Sequence, residues 1–171
     1  MKRLLIPIFC STLSFASLID IHSFEASFTQ KVTDDRNATL QYDGYVRAQK
    51  PQNAVWNYLK PVKKDVYLDR FRVTIVEPEI EQVILKRVES NFDFFMMIKN
   101  AKKVADDTYE ASFKNAKFII KTEKMLIKSI SYKDEFENNV LISFENQKQN
   151  IKINEKFFIA DYPVEYDVIG D

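Results

Sequence analysis

His22 is the only histidine in this 171-residue chain, Cys10 the only cysteine, and Gly44 and Gly170 the only glycines. That inventory bounds the chemistry. An imidazole can serve as a general base near neutral pH, but His22 lies close to the N-terminus beside an apolar turn, where a structural role is expected. A zinc site built from His and Cys needs more of both, and a phosphate cradle needs more glycine. Neither a metal nor a nucleotide cofactor is therefore expected. Two carboxylates brought together by a fold could hydrolyse a glycoside. The adjacent pairs Asp106-Asp107 and Glu77-Pro78-Glu79 read more simply as turn residues, so no enzyme is expected.

Apolar and aromatic surface is what the chain over-supplies, with 14 Phe, 8 Tyr and Trp56. Its densest run is Phe94-Phe95-Met96-Met97-Ile98. Ser90-Asn91-Phe92-Asp93 before it fits a capping box, and Lys99, Lys102 and Lys103 after it suit a helix C-terminus. In such a helix Phe94, Met97, Ile98 and Ala101 share one face, while Phe92, Phe95 and Met96 spill around it. A helix this apolar must touch protein or ligand on more than one side. Methionine re-packs around ligands of varied shape, so the run points to binding.

The elements that must position this helix are strands. Phe24, Ala26, Phe28, Gln30 and Val32 alternate with Glu25, Ser27, Thr29 and Lys31, the period of a half-buried strand. Similar runs are expected at 38–46, 54–59, 65–68, 71–76, 82–88, 108–113, 117–122, 127–132, 139–144 and 149–153. Turn residues at Asp34-Asp35-Arg36-Asn37, Asp69-Arg70, Asp106-Asp107, Lys114-Asn115 and Lys133-Asp134 separate them, and Pro61 and Pro78 fall between runs. The pattern predicts an antiparallel sheet or barrel rather than βαβ units. A short second helix is expected over about 17–22.

Lys2 and Arg3 precede an apolar run that ends in Ser14-Phe15-Ala16, the pattern of an export signal cleaved after Ala16. The run is too short to span a bilayer. Phe9 before Cys10 argues against lipidation, and a mature chain without cysteine forms no disulfide. Residues 17–171 are expected to make a single domain. Loss of Lys2 and Arg3 from a chain with 25 residues of each sign leaves a net charge of about −2. With no basic tract, nucleic acid is not an expected partner.

The opening strand Ser23-Phe24-Glu25-Ala26-Ser27-Phe28-Thr29-Gln30-Lys31-Val32-Thr33-Asp34 resembles that of the LolA family, periplasmic carriers of outer-membrane lipoproteins. So do Gly44-Tyr45-Val46-Arg47-Ala48-Gln49-Lys50-Pro51 followed by Trp56 and Pro61, then Glu77-Pro78-Glu79-Ile80-Glu81-Gln82-Val83. Phe94 to Ile98 resembles the family's lid helix, and Phe157-Phe158-Ile159 with Pro163 its closing segment. The resemblance implies a mainly β fold with a few helices. In it, an unclosed, strongly curved antiparallel half-barrel encloses an apolar cavity under a helical lid. It also implies acyl-chain cargo in that cavity, lipoproteins received from an inner-membrane LolCDE-type ABC transporter, a LolB-type outer-membrane acceptor, a periplasmic location and a monomer. Cavity and lid contacts are expected from Phe28, Trp56, Phe71, Ile75, Phe94, Met97 and Ile98. The family commonly has arginine before the proline where this chain has Lys50, which lacks arginine's planar fork; Lys50, or nearby Arg47, is expected to latch the lid. The alternative is a periplasmic lipid-binding or sensor module on the same half-barrel with no transport role.

Overall fold

A computed structural model describes residues 21–87 and 93–170. The expected signal at 1–16, most of the expected N-terminal helix, and Ser90, Asn91 and Phe92 lie outside the described residues. Ile21 and His22 belong to no regular element.

Among the described residues twelve strands form one sheet: β1 (Ser23–Thr33), β2 (Thr39–Gln49), β3 (Asn53–Lys60), β4 (Lys64–Leu68), β5 (Arg72–Glu77), β6 (Gln82–Arg87), β7 (Lys102–Ala105), β8 (Thr108–Phe113), β9 (Ala116–Glu123), β10 (Leu126–Lys133), β11 (Asn139–Gln149) and β12 (Asp167–Gly170). Helix α1 (Phe94–Lys99) lies between β6 and β7 in the chain. The spatial order is β12-β6-β5-β4-β3-β2-β1-β11-β10-β9-β8-β7. The outer strands β12 and β7 are not paired with each other among the described residues, so the sheet is open. Every neighbour is antiparallel except β12, which runs parallel to β6.

Alternation decides which face is buried. Phe24, Ala26 and Phe28 of β1 pair with Ala48, Val46 and Gly44 of β2 on one face, and Phe28 pairs with Phe144 of β11 on its other side. The same face carries the row Tyr109, Ile120, Ile130, Ile142 across β8 to β11. All of these except Gly44 belong to one core cluster. A cluster that unites β8 with β2 across four intervening strands requires a sheet curved around it. Bulges in the β1–β11, β9–β10 and β2–β3 ladders help bend it.

Gly44 sits at the β2–β3 bulge because nothing larger fits. A Cβ there would lie 2.1 Å from the carbonyl oxygen of Asn57 and 2.9 Å from the Phe28 ring. Two hairpin tips repeat one device. Asp34 Oδ1 accepts from the backbone N–H of Arg36 and Ala38 with Asn37 at positive φ. Asp134 Oδ1 accepts from Phe136 and Asn138 with Glu137 at positive φ.

The convex face is also partly covered. Val55, Thr74, Val76 and Val83 are buried there, where the segment through Phe158, Ile159, Ala160 and Tyr162 faces Tyr67, Thr74 and Leu85. That segment then ends in β12. Its parallel docking departs from the all-antiparallel expectation.

Three further expectations change. Gln149 ends β11 and residues 151–154 form no strand; there Ser23 Oγ donates to the Ile151 carbonyl at 2.6 Å and the Ser23 carbonyl accepts from Asn150 N–H at 3.0 Å, so a side chain takes over from the ladder. Lys102 and Lys103 belong to the edge strand β7, since α1 stops at Lys99. Asp93, expected as the third helical residue, is itself the N-cap, its carboxylate accepting from Met96 N–H at 3.0 Å.

Candidate functional site: an apolar chamber under a short helix

The concave face is filled by an aromatic chain at one end and left hollow at the other. Phe28 meets Trp56 edge-on at 4.9 Å and Tyr58 at 5.1 Å, and Tyr58 meets Tyr42 at 5.7 Å. Tyr58 O–H donates to Gln30 Oε1 at 2.9 Å, and the Lys64 ammonium stands 4.7 Å from its ring. Burial, then the nearby Tyr132 and Tyr42, pushes the Tyr58 hydroxyl up to about 12. This end is a packed floor.

Beyond Trp56 the packing opens into a chamber of about 160 Å³. Phe24, Val46, Ala48, Ala54, Trp56, Leu68, Val73 and Phe144 form its walls, and Gln52, Asn53 and Asp69 its polar rim. Phe94 and Phe95 of α1 cover it, with Phe94 edge-on to Phe24 at 6.3 Å and to Phe95 at 5.6 Å. Small Ala48 and Ala54, opposite each other on β2 and β3, leave the room that larger side chains would fill. A wall of hydrocarbon with polar groups only at the rim can hold an apolar ligand.

The residues expected at this site divide. Trp56 and Phe94 line the chamber. Phe28 is buried beneath Trp56 as part of the floor. Ile75 is half-buried on the chamber's face, opposite Val66, which in turn is opposite Trp56. Ile98 is 1% exposed, and buried Met97 lies beside Ala111; both anchor α1 rather than line the hollow. Phe71 is not a cavity residue. It falls in the β4–β5 turn, 72% exposed, because β5 begins one residue later and Val73 takes the inward position.

Arg47 faces away from the chamber. Alternation along β2 puts Val46 and Ala48 inward and Arg47 on the convex face. There its guanidinium binds Glu25 at 3.2 Å and Asn57 Oδ1 at 3.4 Å, and stacks 4.5 Å from the Phe157 ring. It therefore fastens the C-terminal segment. Lys50 follows β2 at the chamber's end of the sheet, its backbone N–H donating to the His22 carbonyl at 2.9 Å.

Phe24, Ala48 and Phe144 are site residues that the sequence does not single out. The period of β1 does turn Phe24 inward, but its ring partner Phe144, at 5.1 Å, comes from a strand near the other end of the chain, and no local pattern announces that pairing.

The family described as "Outer membrane lipoprotein carrier protein LolA" matches residues 20–109. An outer-membrane lipoprotein carrier protein of Campylobacter jejuni is 39% identical over 91% of this chain and 90% of its own length. The chain belongs to the LolA family. A second relative, an outer-membrane lipoprotein carrier protein of Wolinella succinogenes, is 28% identical over 99% of both chains. Among solved structures, an uncharacterized conserved protein of Thermus thermophilus superposes with a TM-score of 0.55 at 10% identity, covering 90% of this chain and 93% of its own; that likeness concerns the fold alone. β1 to β5 and α1, which supply every chamber residue of a regular element except Phe144 of β11, fall within the stretch that the LolA family matches.

Proposed function

We propose that this protein carries acylated lipoproteins through the periplasm to the outer membrane, shielding their acyl chains in the chamber under α1. One observation carries the reading: an apolar hollow covered by a helix, on the concave face of a LolA-family chain whose relatives are named as outer-membrane lipoprotein carriers. Each methylene exposed to water costs about 0.8 kcal/mol, so an unescorted lipoprotein would aggregate or return to a membrane. A hydrocarbon chamber removes that cost in transit.

Loading requires the lid to move. The chamber holds about 160 Å³, below the roughly 300 Å³ at which pockets for sizeable ligands begin. Burying Phe95, Met97 and Ile98 is worth about 1.5–3 kcal/mol each. Ordering the six residues of α1 costs about 1–2 kcal/mol apiece, and a helix that short has little stability of its own. Gain and cost are of similar size, so closed and open lids differ by little. An incoming acyl chain shifts that balance toward open, and an acceptor that binds the chains better empties the chamber. In this reading Lys50 is the latch, residues 1–16 are an export signal, residues 17–171 are one carrier domain, an ABC transporter of the LolCDE type supplies cargo and a LolB-type acceptor receives it.

The test uses mature protein, residues 17–171, added to spheroplasts that hold newly acylated lipoproteins and the matched transporter. ATP-dependent appearance of lipoprotein in a soluble complex with this protein is expected. No release, with folding verified, overturns the carrier reading.

A further inference from the structure

Phe71 stands in water although its neighbours Leu68, Asp69 and Val73 all line the chamber. Its turn is well tied. Asp69 Oδ1 accepts from the backbone N–H of Phe71 at 2.7 Å and of Arg72 at 2.8 Å, and Asp69 N–H donates to the Arg72 carbonyl at 2.9 Å. The ring is thus held outward by the backbone.

One cation stands over it, and others follow on the strands beside it. The Arg70 guanidinium lies 5.4 Å from the ring centroid. On the adjoining strand pair Arg72 is opposite Arg87, and Val73 opposite Lys86. Like charges directly opposite destabilise a sheet pair, and the Asp69 carboxylate, 3.9 Å from Arg72, answers only one of them. An exposed aromatic with Arg70 over its ring, and with Arg72, Arg87 and Lys86 on the strand pair beside its turn, at the rim of an apolar chamber, matches one kind of surface.

We propose that the β4–β5 turn is a membrane-contacting tip that seats the rim of the chamber on an anionic phospholipid surface. Basic side chains near such a surface gain about 1 kcal/mol each, and an apolar side chain wedges into the boundary between headgroups and acyl chains. A single aromatic among charges suits that boundary better than it suits a protein partner, whose interface core is broad and poor in charge. With the tip seated, acyl chains pass between bilayer and chamber without crossing water. The proposal rests on the carrier reading for what passes, but the contact itself needs no cargo.

The experiment is flotation with vesicles free of lipoprotein, made of phosphatidylethanolamine with about one-third phosphatidylglycerol, beside vesicles of phosphatidylcholine. Binding to the anionic vesicles is expected, weakened by salt. Phe71→Ser and the double variant Arg70→Gln, Arg72→Gln should each lower it roughly tenfold. Phe136→Ser, which removes the 75% exposed ring at a turn on the far end of the sheet, should leave it unchanged. Absence of wild-type binding, undiminished binding by both tip variants, or equal loss in Phe136→Ser overturns the proposal. So does a Phe71→Ser defect in spheroplast release without any vesicle binding, which would point to a protein partner. Vesicle binding without spheroplast release would instead leave the tip standing and overturn the carrier reading.

Discussion

Ala48→Leu separates a chamber that exists for a ligand from one that is a packing defect. Ala48 is 4% exposed and faces the hollow. An empty cavity costs about 24 cal/mol per Å³, so a chamber of about 160 Å³ withholds about 4 kcal/mol from the fold. The three added carbons of leucine fill part of it, and the variant should gain about 1–2 kcal/mol, the exact share depending on strain against Trp56 and Phe24. For a chain of this size that raises Tm by about 2–4 °C per kcal/mol. The same carbons occupy the space of an acyl chain, so capture of lipoprotein from spheroplasts and uptake of a fluorescent fatty-acyl probe should both fall several-fold. Stability comes from urea unfolding followed by the fluorescence of Trp56, the one tryptophan. A rise in stability with normal uptake would show that cargo does not enter this chamber. A clear fall in stability would show that the space beside Ala48 is not open.

Gly44→Ala should destabilise by about 3 kcal/mol, since its Cβ meets the Asn57 carbonyl at 2.1 Å; a loss below about 1 kcal/mol in urea unfolding would mean the bulge relaxes freely. Lys50→Leu should alter delivery of cargo to an acceptor more than it alters folding, whereas Arg47→Met should lower stability by about 1–2 kcal/mol through the Glu25 and Phe157 contacts with delivery per folded molecule unchanged. The reverse pattern would exchange their roles. Tyr58 keeps its proton in the folded chain to about pH 12 against 10.0 for an ordinary tyrosine. Between those values the unfolded chain binds fewer protons, so stability present below pH 10 drains as pH rises, by on the order of 2–3 kcal/mol. Tyr132, raised chiefly by burial and then by Asp134, titrates in the same direction. Urea unfolding from about pH 9 to about pH 12 should show a limb that Tyr58→Phe flattens, and an unchanged limb would refute the assignment.

Period and turn chemistry in the sequence suffice for the strand layout. Alternation locates β1 to β6 and β8 to β11 within a few residues, and the run from Phe94 to Ile98 announces the helix over the hollow. The short edge strands escape: β7 is four residues, two of them lysines, and β12 is held by pairing with β6 rather than by propensity. Arg47 misleads because nearness in sequence to Lys50 says nothing about face, and three residues along a strand reverse the side. Phe71 misleads because the strand starts one residue later, which turns an inward ring outward. Ala48 and Ala54 give no signal at all, since a hollow is made by what small residues leave unfilled.

The strand at the centre of the sheet is the first among the described residues. β1 is hydrogen-bonded to β2 on one side and to β11, more than a hundred residues later, on the other, with Phe24 opposite Gln149 and Thr33 opposite Asn139. Such distant pairing makes for slow folding. While the chain is still emerging, β1 has an open edge, Phe24 lacks Phe144, and the wall they form together is missing. Every other lining residue lies between Phe24 and Phe95, so the chamber stays open on one side until Phe144 arrives, and the late strand closes a wall that the early ones have already built.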